Sequence, residues 1–167
     1  MKNLKFFAVF VLTAALTAVH AAEIDVNGKF VRNAKGSLTN WTTAGGLEVT
    51  SVKGASGVDI RKTAKETWGG LYGKKIELKK DEKAIITVNA SGVGEMIFGA
   101  TWYTAKGQWY RNDQIKGKLA AKAQDFKFET VRGKPGMPDA VMFTPTILLI
   151  GKNTVRINFV KVEVVKK

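Results

Sequence analysis

The sequence predicts an all-β domain, an antiparallel sandwich or barrel, and three observations predict it. Apolar and polar residues alternate with a period of two in run after run, which marks half-buried strands. The breaks between runs carry glycine-rich turn chemistry. Helical periodicity is almost absent. Evenly spaced strands separated by turn signals are the pattern of a sandwich or barrel.

The elements follow in chain order. Leu47-Glu48-Val49-Thr50-Ser51-Val52 alternates. So does Lys83 to Ala90, with Ile86 and Val88 on one face and Thr87 and Asn89 on the other. Met96, Phe98, Ala100 and Trp102 share one parity, and Ile97, Gly99, Thr101 and Tyr103 share the other. Phe126 and Phe128 alternate with Lys127 and Glu129. Ala140 to Ile150 and Thr154 to Val165 are rich in Val, Ile and Phe. Turns are expected at Gly45-Gly46, Gly54, Ser91-Gly92, Lys106-Gly107, Gly133 to Gly136 and Gly151-Lys152-Asn153. The stretch Gln114 to Gln124 lacks a firm apolar stripe and reads as a loop with at most one helical turn. The region Val131 to Asp139, with Pro135 and Pro138, reads as the best exposed loop.

The first residues have the layout of a secretory signal peptide. Lys2 and Lys5 precede an uncharged run from Phe6 to Val19, and Val19-His20-Ala21-Ala22 supplies a small-residue junction with cleavage after Ala21. The apolar run is shorter than the roughly 20 residues a spanning helix needs, which argues against a retained anchor, and no later segment is apolar enough to span. The expected organisation is a signal peptide over 1–21 and one domain over 22–167. The location is then secreted, periplasmic or at the cell surface.

Chemistry narrows with the signal. The only histidine, His20, leaves with it, and the chain has no cysteine. Triads built on His and nucleophilic cysteines are excluded, and zinc or copper sites lose their usual ligands. Acidic side chains could serve glycoside hydrolysis as a pair, yet most lie beside lysines as solvated faces do. The expectation is a binding protein and not an enzyme, with no catalytic residue and no cofactor. Of the 27 basic residues, removal of Lys2 and Lys5 leaves 25 against 14 acidic, a formal +11. That excess favours anionic partners or simple solubility. Export makes nucleic acid a poor partner.

The residues suited to binding are aromatic. Trp68-Gly69-Gly70-Leu71-Tyr72 is one cluster, and Trp102 to Arg111 is another that reads as a hairpin with a Gly107 turn. A flat indole or phenol covers the apolar face of a sugar ring while nearby amides and cations bond its hydroxyls. The candidate carbohydrate-binding residues are Tyr103, Trp109, Tyr110, Arg111, Trp68, Tyr72, Trp41 and Asn89. Each aromatic has a plain alternative as a packing residue. Parity sends Trp102 into the core and Tyr103 outward. One of Trp109 and Tyr110 must point each way, and the sequence leaves open which. Trp41 reads equally as a ligand platform or a core plug.

Other motifs are weak. Gly92-Val93-Gly94 lacks the third glycine and the strand–helix setting of a dinucleotide site. Asn40-Trp41-Thr42 and Asn89-Ala90-Ser91 match glycosylation sequons, which matter only in a eukaryotic secretory pathway.

Three segments resemble carbohydrate-binding modules of the CenC type. Val26-Asn27-Gly28-Lys29-Phe30 is similar to their opening, with Trp41 a dozen residues on. Leu71 to Leu78 followed by Ala84 to Ala90 resembles their strand pair, and Val155 to Val164 resembles their last strand. The resemblance implies a galactose-binding-like jelly roll that binds a polysaccharide or other glycan. It also leaves room for a structural calcium ion. Val31 and Asn158 stand where the family often has acidic residues, however, and calcium favours charged oxygen ligands. The rival reading is a basic structural or adhesive protein that binds anionic envelope polymers.

Overall fold

A computed structural model describes residues 21–52, 55–63, 65–133 and 139–167. The expected signal peptide (but for Ala21), the Gly54 turn and the Pro135–Pro138 loop tip lie outside the described residues. Among the described residues there is no helix and there are twelve strands. These are β1 (Ala22–Ile24), β2 (Trp41–Gly45), β3 (Leu47–Ser51), β4 (Val58–Lys62), β5 (Gly69–Gly73), β6 (Ile76–Glu77), β7 (Glu82–Gly92), β8 (Glu95–Tyr103), β9 (Trp109–Lys118), β10 (Gln124–Val131), β11 (Met142–Leu149) and β12 (Thr154–Lys166).

They form two antiparallel sheets. The first has the order β10-β7-β12-β4-β3, with β1 also on β12. The second has the order β2-β5-β11-β8-β9, with β6 also on β11. The sheets pack through the apolar parity of each strand. Val58, Ile60, Ala84, Ile86, Val88, Ala90, Val155, Ile157, Val160 and Val162 come from the first sheet. Leu71, Met96, Phe98, Ala100, Trp102, Phe143, Ile147 and Leu149 come from the second. All are buried, as period-two patterning requires of a sandwich. Trp102 is fully buried, lies against Phe143 at 5.4 Å between centroids, and donates from Nε1 to Thr130 Oγ1 at 3.2 Å. That bond satisfies the one polar atom a buried indole carries.

The expected strands over Leu47 to Val52 (present as far as Ser51), Lys83 to Ala90, Met96 to Tyr103, Phe126 to Glu129, and the two C-terminal runs are all present. One expectation is corrected. Gln114 to Lys118 is not loop or helical turn but the second half of β9, paired with Glu95 to Gly99. The alternation there is faint because β9 is an edge strand. Only Ile115 is a large apolar residue, and Gly117 replaces a side chain where the Phe98 and Phe126 rings close over the backbone.

Candidate functional site

The outer face of the second sheet collects residues that are far apart in the chain. Strand register places Thr42 (β2), Tyr72 (β5), Thr146 (β11), Gly99 (β8) and Gln114 (β9) in one row across the face. The next rows are Thr144-Thr101-Asn112 and Met142-Tyr103-Trp109. Neighbouring strands are about 4.8 Å apart and successive rows about 6.7 Å. The surface is therefore wide enough for more than one ring.

An open cavity of about 500 Å³ lies on this face, lined by Tyr72, Tyr103, Trp109, Lys75, Asn112 and small residues including Thr101 and Thr144. Thr101 and Thr144 are buried and form its floor, and the buried Thr146 lies in the adjoining row. Thr146 Oγ1 donates to Thr101 Oγ1 at 2.9 Å, and Thr101 Oγ1 donates to Asn112 Oδ1 at 3.1 Å. The aromatic rings are the walls. Trp109 is 62% exposed, and its Nε1 lies 3.4 Å from Asn112 Oδ1. The Tyr72 phenol is pushed above its ordinary value, first by burial and second by the nearby Tyr103 phenol. The Lys75 ammonium stands over the Tyr103 ring, 4.3 Å from its centroid.

A break in register decides which hairpin aromatic joins the face. Trp102 pairs with Arg111 but Tyr103 pairs with Trp109, so Tyr110 is the extra residue of a bulge. Trp109 thus stands beside Tyr103, while Tyr110 packs against the core cluster. Arg111, opposite the inward Trp102, is exposed but keeps the other parity.

Two further residues of the sequence-derived set, besides Tyr110 and Arg111, lie elsewhere. Trp41 is 5% exposed, packs on Phe30 at 5.1 Å and donates from Nε1 to the Asn27 carbonyl at 3.1 Å, so it is a core residue. Asn89 sits on the outer face of the first sheet, donating to Asp125 at 2.6 Å and accepting from Asn158 at 2.7 Å. Trp68 is intermediate. It is partly exposed and its ring reaches within 3.0 Å of where a Cβ on Gly70 would sit, next to Tyr72 and Leu148. It therefore flanks Tyr72 on the same face, outside the cavity. The bare Gly70 backbone is what lets both rings lie over β5.

Sequence reasoning missed Lys75, Asn112 and the threonine floor as site residues. The parity of Thr101 was visible; the meeting of five strands was not. Gln114 was also hidden by the loop reading. Its Nε2 is buried with no hydrogen-bond partner among the described residues.

Neither of the two positions where the resemblance allows an acidic calcium ligand supplies a charged oxygen. Val31 is an exposed apolar side chain, and the Asn158 amide is engaged with Asn89. Among the described residues no group of three His, Cys, Asp or Glu could hold a metal. No described helix is long and apolar enough to cross a membrane.

No family model matches the sequence, and no curated protein matches it. Solved structures do. The CBM22-1 xylan-binding domain from Paenibacillus barcinonensis Xyn10C superposes with a TM-score of 0.58 at 12% identity, over 90% of this chain and 99% of that one. A variant of a family 29 carbohydrate-binding module complexed with mannohexaose gives 0.54 at 9% identity, over 87% and 93%. A family 4 module gives 0.55 at 17% identity, over 84% and 98%. The enzymatically active domain of bacteriophage CBA120 tailspike protein 4 gives 0.52 at 9% identity, but this chain covers only 19% of that chain. These likenesses show that the chain has the jelly-roll β-sandwich fold found in carbohydrate-binding modules.

Proposed function

We propose that this protein is an exported, non-catalytic domain that binds a polysaccharide on the outer face of its second sheet. The observation that carries the reading is the grouping of Tyr72, Tyr103 and Trp109 around a floor of threonine and asparagine. Aromatic walls cover the C–H faces of sugar rings, and the floor and Lys75 offer polar partners for hydroxyls. The fold shared with carbohydrate-binding modules supports the same reading.

The formal +11 charge supports a second reading, adhesion to anionic envelope polymers through bulk attraction. Affinity electrophoresis against a panel of neutral and acidic polysaccharides, run at 0.05 and 1 M salt, separates the two. Site recognition survives 1 M salt, where the Debye length is about 3 Å, and it is lost when Tyr103 and Trp109 are both replaced by Ala. Binding that vanishes in salt and ignores the double substitution supports bulk adhesion instead. N-terminal sequencing of the exported protein is expected to begin at Ala22.

A further inference from the structure

The cavity carries a fixed positive charge. Lys75 lies in the short turn between β5 and β6, on the side of the cavity where Tyr103 stands. Its ammonium is held from two directions. It sits over the Tyr103 ring at 4.3 Å and donates to the Gly107 carbonyl, in the β8–β9 turn, at 3.1 Å. Neither partner is an anion, and no ion pair joins Lys75 to a carboxylate among the described residues. The other described residues lining the cavity are Thr, Ala, Gly, Tyr, Trp and Asn, all uncharged. Glu77, which pairs with Met142 at the same end of the sheet, does not line it.

A surface lysine is ordinarily free to swing through solvent. One pinned between a ring face and a carbonyl instead holds its charge at one place on a binding surface. The ring quadrupole and the carbonyl dipole leave that charge uncancelled. A hydroxyl offers this ammonium only a dipole, whereas a carboxylate offers a full opposite charge at hydrogen-bond distance, and attraction between two charges is the stronger.

We propose that Lys75 is a specificity residue that selects a sugar unit bearing a carboxylate, a uronic acid, at the Tyr103 end of the cavity. This rests on the carbohydrate-binding reading. The aromatic walls hold the chain, and Lys75 chooses among chains. Residues elsewhere that carry the same charge, such as Lys127 on β10 of the other sheet, contribute attraction without selection.

The test uses matched polymers and the whole purified protein. Polygalacturonate, glucuronoxylan and hyaluronan are each compared with the same polymer after its carboxyl groups are reduced to alcohols. Binding is measured by titration calorimetry at 0.15 M salt. The protein is expected to prefer at least one acidic polymer over its reduced form by fivefold or more. Lys75→Met brings that ratio below twofold with an unchanged melting temperature, Lys75→Arg keeps most of it, and Lys127→Met leaves it intact. A ratio near one in the unaltered protein overturns the inference, as does a ratio that survives Lys75→Met. Equal losses in Lys75→Met and Lys127→Met also overturn it, because they assign the preference to bulk charge. If no acidic polymer binds but a neutral one does, the selectivity is refuted and the carbohydrate reading stands. If nothing in the wider neutral and acidic panel binds, that reading falls as well.

Discussion

Trp102 and Tyr103 are adjacent in the chain and lie on opposite faces of one sheet: Trp102 is fully buried between the sheets, and Tyr103 lines the open cavity. The pleat imposes this, since successive side chains of a strand point to opposite sides. The two residues therefore carry opposite consequences when truncated. Trp102→Ala is expected to cost about 3–5 kcal/mol of stability, as core aromatic truncations do. Tyr103→Ala removes a surface ring and its contact with Lys75, for about 1 kcal/mol or less, while binding falls at least tenfold. Urea denaturation and calorimetry on both variants check this. Reversed effects would place the sheet one residue out of register.

The bulge opposite Trp102 makes a prediction within three consecutive residues. Trp109 shares the face of Tyr103, and Arg111 does not. Trp109→Ala is expected to weaken polysaccharide binding about tenfold, which is about 1.4 kcal/mol, whereas Arg111→Ala leaves it within twofold. Tryptophan fluorescence should follow suit, since Trp109 lines the cavity, Trp102 and Trp41 are buried, and the exposed Trp68 lies outside the cavity. The ligand-induced change should disappear in Trp109→Phe. A full response in that variant would move the site away from this hairpin.

Gly99 is the structural requirement of the face. Its φ of +148° belongs to glycine, and a Cβ there would run into the Asp113 carbonyl on β9. Backbone strain of this kind costs about 1–3 kcal/mol, and the clash adds to it by pushing β9 off β8. Gly99→Ala is expected to lower stability by at least 2 kcal/mol and to weaken binding, because Trp109 and Asn112 ride on β9. A variant with wild-type stability would show that the β8–β9 pairing yields freely at this point.

Tyr72 supplies a pH signature. Burial, and then the Tyr103 phenol, raise its folded pKa above the ordinary phenol value. The folded chain thus holds this proton more tightly than the unfolded chain. The contribution to stability is complete below an unfolded pKa of about 10 and is lost as pH climbs through the raised folded value. Absorbance titration of phenolate formation should show a late step that Tyr72→Phe removes. Saturating ligand, by covering the ring, should move that step later still. A late step that persists in Tyr72→Phe would assign it to another tyrosine.

Much of this molecule was legible before its fold. Alternation alone located the long strands, because a residue facing the core must be apolar and its neighbour, facing water, need not be. The same parity separated Trp102 from Tyr103. The absence of histidine beyond residue 20 and of cysteine bounded the chemistry without any geometry. The sequence could not say which aromatics meet. Trp41 and Trp68 both sit beside small or polar residues, yet one plugs the core against Phe30 and the other lies over Gly70. Nor does any local pattern bring Tyr72 to Tyr103. That neighbourhood exists because β11, from late in the chain, inserts between β5 and β8 and carries Thr144 with it into the floor. Strand order is set by how whole sheets bury their apolar faces, a property of the assembled sandwich. The choice between Trp109 and Tyr110 fell to one bulge, whose extra residue changes which side chains face outward without altering the alternation on either side.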